Sequence, residues 1–203
     1  MTAILKVDTI QDTSGNNIIN ENANTITIGK SGDTTNIVGT LQNDGAGLVS
    51  GITNAQQWRL TSNFTGNADP IASNLEKADS DGAGSIGSDM TESSGVFTFP
   101  ETGIWLISYQ INIYSSTVTT EYVAPYIMTT TNNSTYDTAA QSYANNWTSG
   151  SYSSSTSQFI FDVTNTSTHK VRFSVVFQNT TAQVMGDTSK QLTGFTFTRL
   201  GDT

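Results

Sequence analysis

Four aromatic residues, Tyr136, Tyr143, Trp147 and Tyr152, lie among serine, threonine, asparagine and glycine between Asn132 and Gln158. Aromatic faces stack on the C–H surfaces of sugars, while amides and hydroxyls bond sugar hydroxyls. That vocabulary suits recognition of a cell-surface glycan or another receptor. The competing reading of each residue is a strand position turned into a core. Asp79-Ser80-Asp81-Gly82 sets two hard-oxygen donors at a spacing calcium tolerates, but the remaining carboxylates of a helix–loop–helix calcium loop are missing. The competing reading of Asp79 and Asp81 is a solvated acidic loop, and no resident metal or cofactor is expected. The same pair raises glycoside hydrolysis by a depolymerase as an alternative, yet 17 acidic residues supply such pairs by chance. The one histidine, His169, reads as a solvated turn residue before a strand. With no cysteine there is no thiol nucleophile, disulfide or thiolate metal site. An enzyme is not the expected answer.

The elements that must position these residues follow from composition. The 203 residues include 34 Thr, 24 Ser and 18 Asn, all poor in helix interiors and at home in strands and turns. The expected fold class is all-β. Eight basic residues stand against 17 acidic, a net charge of −9, which disfavours nucleic acid and an anionic membrane surface as partners. Residues 61–140 hold nine of the acids and one base, Lys77. No apolar run is long enough to span a bilayer, and Met1 to Asp8 lacks the apolar core of a signal peptide. Synthesis in a cytoplasm without export by the usual secretory route is the expectation.

Two parts are expected, residues 1–55 and 56–203. The first has no aromatic residue. It carries short apolar groups, such as Ile18-Ile19, Ile26-Thr27-Ile28 and Ile37-Val38, between Gly-containing turns. One such chain buries too little to offset its backbone entropy, so three copies wound into an intertwined β stalk are expected. A flexible tail is the other reading. In the second part the period becomes two. Trp105, Ile107, Tyr109, Ile111 and Ile113 share one face, as do Val171, Phe173, Val175 and Phe177. Phe159, Phe161 and Val163 alternate likewise, and so do Phe195 and Phe197. Six or more such strands without helical segments predict an antiparallel sandwich or jelly roll.

The run Gly95-Val96-Phe97-Thr98-Phe99-Pro100, then Gly103, then the aromatic-rich strand through Tyr109, resembles the central signature of the complement component 1q head and the related tumour necrosis factor jelly roll. Gly194-Phe195-Thr196-Phe197 resembles that family's last strand. The resemblance covers about Gln56 to Thr203 and implies a compact homotrimer formed through the inner sheet. A second resemblance covers about Leu5 to Leu41, carried by Ile4 to Asn16, Gly29 to Thr34 and Val38 to Leu41. These segments are similar to the opening of fibre proteins of marine and cyanobacterial tailed phages. That implies attachment to another virion protein through the N-terminus, with Leu5, Val7 and Ile10 as the attachment residues. Together the expectations are a homotrimeric virion fibre, assembled in the host cytoplasm, whose knob adheres to a host cell-surface glycan or protein. A capsid decoration fibre with a mainly structural role is the main alternative.

Overall fold

The structure is a computed structural model that describes residues 9–11, 13–14, 17–22, 25–28, 31–37, 42–43, 46–47, 51–117 and 119–203. None of the described residues is helical. The chain divides into two compact units, Met1–Ser50 and Gly51–Thr203.

In the first unit, β1 (Thr9–Gln11), β2 (Asn17–Asn22) and β3 (Thr25–Ile28) form an antiparallel three-stranded sheet in that order. Backbone pairing sets Ile10 opposite Ile19 and Ile19 opposite Ile28. Residues β4 (Gln42–Asn43) and β5 (Ala46–Gly47) form a separate short pair. Ile10, Ile28 and Ile37 are all exposed. Ile37 lies in an irregular segment rather than a strand. Leu5 and Val7, two of the expected attachment residues, lie outside the described residues, as do Val38, Leu41, Leu48 and Val49.

The second unit is a jelly-roll sandwich of two antiparallel sheets. Its strands in chain order are β6 (Ala55–Leu60), β7 (Phe64–Thr65), β8 (Leu75–Lys77), β9 (Thr91–Ser93), β10 (Val96–Thr98), β11 (Gly103–Ser115), β12 (Thr120–Thr130), β13 (Asp137–Gln141), β14 (Ala144–Asn146), β15 (Ser151–Val163), β16 (Lys170–Phe177), β17 (Gln183–Val184) and β18 (Gly194–Gly201). The first sheet is centred on β11. Strand β15 pairs along the whole of one edge of β11, and β18 and β17 share its other edge. Beyond β18 come β6 and β8, and beyond β17 comes β7. The second sheet runs β9-β10-β16-β12, with β13 and β14 sharing the far edge of β12.

The period-two faces meet in the middle. Trp105, Ile107, Tyr109, Ile111 and Ile113 of β11 are fully buried, and so are Phe195 and Phe197 of β18. They face Val171, Phe173, Val175 and Phe177 of β16. Phe97 of β10 is the aromatic hub. Its ring centroid lies 5.2 to 5.7 Å from those of Trp58, Phe173, Phe195 and Phe197. Phe173 and Phe195 stack across the two sheets at 3.9 Å. Each such ring contributes about 2–3 kcal/mol through the area it removes from water.

The glycines of the Gly95 to Gly103 signature have separate steric reasons. Gly95 has φ +83°, and a Cβ there would stand 2.5 Å from the Ile71 carbonyl oxygen. Gly103 has φ +145°, and its missing Cβ leaves room for the Arg199 guanidinium, whose Nε would be 2.5 Å away. Arg199 uses that room to donate from Nε to the Thr102 carbonyl at 2.9 Å and from Nη1 to the Thr53 hydroxyl at 3.2 Å.

Candidate receptor-binding surface

The stretch from Asn132 to Gln158 is strand-rich, not one loop. It contains β13, β14 and the first half of β15. Its serine and threonine content hides the pairing, because β15 turns Ser151, Ser153, Ser155 and Ser157 inward at alternate positions where a core strand ordinarily carries apolar residues. Ser155 Oγ donates to Ser142 Oγ at 2.6 Å, a hydroxyl bridge on the inner side of β15.

The four aromatics therefore separate. Tyr152 stands on the outer face of the first sheet, 70% exposed, with its ring 4.6 Å from that of Tyr114 directly opposite on β11. Trp147 is 65% exposed in the turn between β14 and β15. Tyr143 and Tyr136 belong with the second sheet. Tyr143 is 64% exposed, meets Tyr122 edge-on at 6.5 Å, and its hydroxyl accepts from Gln141 Nε2. Tyr136 is half-buried beneath Arg172, whose guanidinium carbon sits 4.3 Å from the ring centroid. No single site contains all four.

The outer face of the second sheet instead gathers residues that the sequence does not single out. On β12, Tyr122 and Tyr126 share a face, being four positions apart. Burial pushes the Tyr126 phenol up, and neighbouring Tyr143 and Tyr122 push it further. Burial also raises Tyr136, against the opposing pull of Arg172. Both phenols stay protonated at neutral pH and keep their donor hydrogens. Beside Tyr126 a hollow of about 200 Å³ is lined by Asp69, Met128, Thr138, Ser174 and Val176. Arg172 borders it and pairs with Asp69 at 3.1 Å. Ser174 Oγ donates to the Met128 sulfur at 2.9 Å.

The acidic stretch is knitted to cations that lie mostly outside it. Arg59, 1% exposed, donates from Nε to Glu76 at 2.8 Å, from Nη1 to the Ser80 hydroxyl at 2.6 Å, and from Nη2 to Asp79. Lys77 pairs with Asp89, and Arg199 with Glu101 and Asp202. Asp79 thus spends its carboxylate on a guanidinium, and Asp81 stands exposed without joining it around a common point. Among the described residues no group of three or more His, Asp or Glu side chains converges as a metal site would need. His169 is buried, stacks on Phe161 at 5.6 Å, and has its two ring nitrogens beside the hydroxyls of Thr164 and Thr168. It is a core residue at the sandwich end rather than a solvated one.

No family model matches the sequence, and none of the curated proteins does. Among solved structures, the chain is similar to murine APRIL at pH 5.0, with a TM-score of 0.53 and 11% identity over 72% of this chain and 98% of that one. It is also similar to Eiger TNF from S. frugiperda, with a TM-score of 0.52 and 14% identity over 73% of this chain and 93% of that one. Identities this low carry the architecture and nothing finer. What they establish, with the two antiparallel sheets and the buried aromatic core, is that the described head has the jelly-roll fold of the tumour necrosis factor type.

Proposed function

We propose that the chain is the subunit of a homotrimeric virion fibre whose C-terminal head adheres to a receptor on the host cell. The observation that carries the reading is the outer face of the first sheet. Leu106 of β11 lies directly opposite Ile160 of β15, which is 58% exposed, and Leu200 on β18 is 48% exposed. Tyr114 and Tyr152 form a second apolar patch on the same sheet, with Ser108, Gln110, Asn112, Thr156 and Gln158 between the two patches. Large apolar side chains on a sheet face with polar groups among them suit a self-association surface. It is the sheet through which the jelly-roll resemblance implies trimerisation. The exposed isoleucines of the first unit, Ile10, Ile28 and Ile37, support the same need for further copies. The phage-like N-terminal segment supports a place on a virion, with Leu5, Val7 and Ile10 toward another virion protein. Tyrosine-rich, hydroxyl-rich strands on the second sheet support adhesion over catalysis, as does the pairing of Asp79, Glu76, Asp69 and Asp89 with cations.

Native mass measurement tests the assembly. The expected result is three times the chain mass of 21.7 kDa. A monomer at micromolar concentration would overturn it. Adsorption of the labelled full chain to host cells, with competition against intact particles, tests the adhesion role. Gold labelling of the N-terminus on intact particles reports whether the fibre stands on tail or capsid.

A further inference from the structure

We propose that the hollow walled by Tyr126, Met128, Thr138, Ser174, Val176 and Asp69 is a subsite for one neutral hexose ring. This rests on the adhesion reading above and assigns it to particular residues. Three features point to a sugar. The first is the mixture of walls. Tyr126, Met128 and Val176 offer an aromatic ring and apolar side chains on adjacent paired strands, since Tyr126 lies opposite Ser174 and Met128 opposite Arg172. A pyranose has one C–H-rich face that such a surface covers and a rim of hydroxyls that needs polar partners. Thr138, Tyr126 and Asp69 line the hollow and carry a hydroxyl, a phenol and a carboxylate that can serve as those partners. Asp69 keeps capacity to accept, because its side chain is 54% exposed and a carboxylate has more lone pairs than its contact with Arg172 Nη2 uses.

The second feature is size. About 200 Å³ suits one ring rather than an oligosaccharide. The third is charge. Arg172 is held from both sides, by Asp69 at 3.1 Å and over the Tyr136 ring at 4.3 Å. Among the described residues Arg172 is the cation that contacts the lining, through Asp69 and Met128, and it is thereby neutralised in place, while the whole chain carries −9. A sugar bearing a carboxylate or sulfate would meet an already satisfied arginine in a negative field. A neutral hexose meets neither obstacle. Arg172 also fixes the geometry: its Nη2 lies 4.0 Å from the sulfur of Met128, a residue of the lining. Arg172 is therefore a positioning residue, while Tyr126 and Asp69 would touch the ring.

A single ring in a shallow site binds with a Kd on the order of 1 mM. Saturation-transfer NMR on the full chain suits that range, with the methyl glycosides of glucose, galactose, mannose, N-acetylglucosamine and glucuronic acid as probes. The expected result is saturable binding of at least one neutral glycoside, no binding of the glucuronide, and little change with added salt. Tyr126→Ala and Asp69→Asn should each weaken binding about tenfold or more. Tyr126→Phe, which keeps the ring and the fold, should retain most of it. Ile86→Ala, an exposed residue bridged to β6 on the other sheet, should leave it unchanged. Absence of saturation transfer from every neutral probe, or tenfold preference for the glucuronide, would overturn the subsite even if the chain adsorbs to host cells. Neutral binding that persists unchanged in both Tyr126→Ala and Asp69→Asn would also overturn it. Failure of the chain to adsorb to cells would count against the adhesion reading alone, since the NMR result stands on the glycosides themselves.

Discussion

Tyr109 stands in the middle of the core, its ring 5.2 Å from Phe173 and 5.1 Å from Phe195, and its hydroxyl has no hydrogen-bond partner among the described residues. Burial pushes its phenol pKa up, because the phenolate would lose its hydration without gaining a partner. The neutral phenol is thus the form the fold accepts. The stability it supports is complete below the ordinary tyrosine value of about 10 and is lost as pH rises beyond it. Tyr109→Phe should therefore be neutral or slightly stabilising at pH 7, and should blunt the loss of urea midpoint between about pH 9 and pH 11. Identical alkaline losses in parent and variant would contradict this account. Alternation along β11 makes the burial of Tyr109 legible in sequence. The orphaned hydroxyl is not legible, because it depends on Phe173 and Phe195, 64 and 86 positions away, lying against the ring. The same limit hid the hollow: Asp69 and Arg172 are separated by 103 positions and meet only because the bridge between Ala68 and Val175 lays Asp69 beside β16.

At the level of elements, the signature around Pro100 succeeds because its glycines answer local steric demands. Gly103→Ala would push a Cβ into the Arg199 guanidinium and the Gly201 carbonyl while keeping a φ that L-residues avoid. It should cost about 1–3 kcal/mol in chemical denaturation, and a variant with parental stability would show that Arg199 gives way freely. Strands β10, β11, β16 and β18 were legible for the same reason that they are stable, since each buries one uninterrupted apolar face. Strand β15 was legible only at its Phe159 to Val163 end. Its serine half pairs with β11 residue for residue through backbone hydrogen bonds, which leave no mark in side-chain polarity. The acidic stretch shows a related limit. Counting charges within residues 61–140 shows one base, but Arg59, Arg172 and Arg199 reach in from β6, β16 and β18. Arg59 is the buried member of its cluster, so Arg59→Lys, which loses the planar fork, should lower stability by about 1–3 kcal/mol. Calcium should leave the Tm of the parent unchanged, since Asp79 is already engaged; a calcium-dependent rise would show that the ion displaces Arg59.

For the whole molecule, the two faces of the sandwich carry different chemistry. Ile160 faces outward on β15 and is exposed, so Ile160→Asp should leave the monomer folded and dissociate the proposed trimer, as read by native mass and an unchanged circular dichroism spectrum. A trimer that survives the charge would move the interface to another surface. The Tyr126 hollow lies on the opposite sheet from Ile160. Around an axis lined by the first sheets, the three hollows would then look sideways, each away from the other two. A flat surface bearing the sugar would be met by one flank of the proposed trimer at a time. The remaining two flanks would stay free to take over as the trimer turns, so that it would exchange one weak contact for the next without losing all three at once.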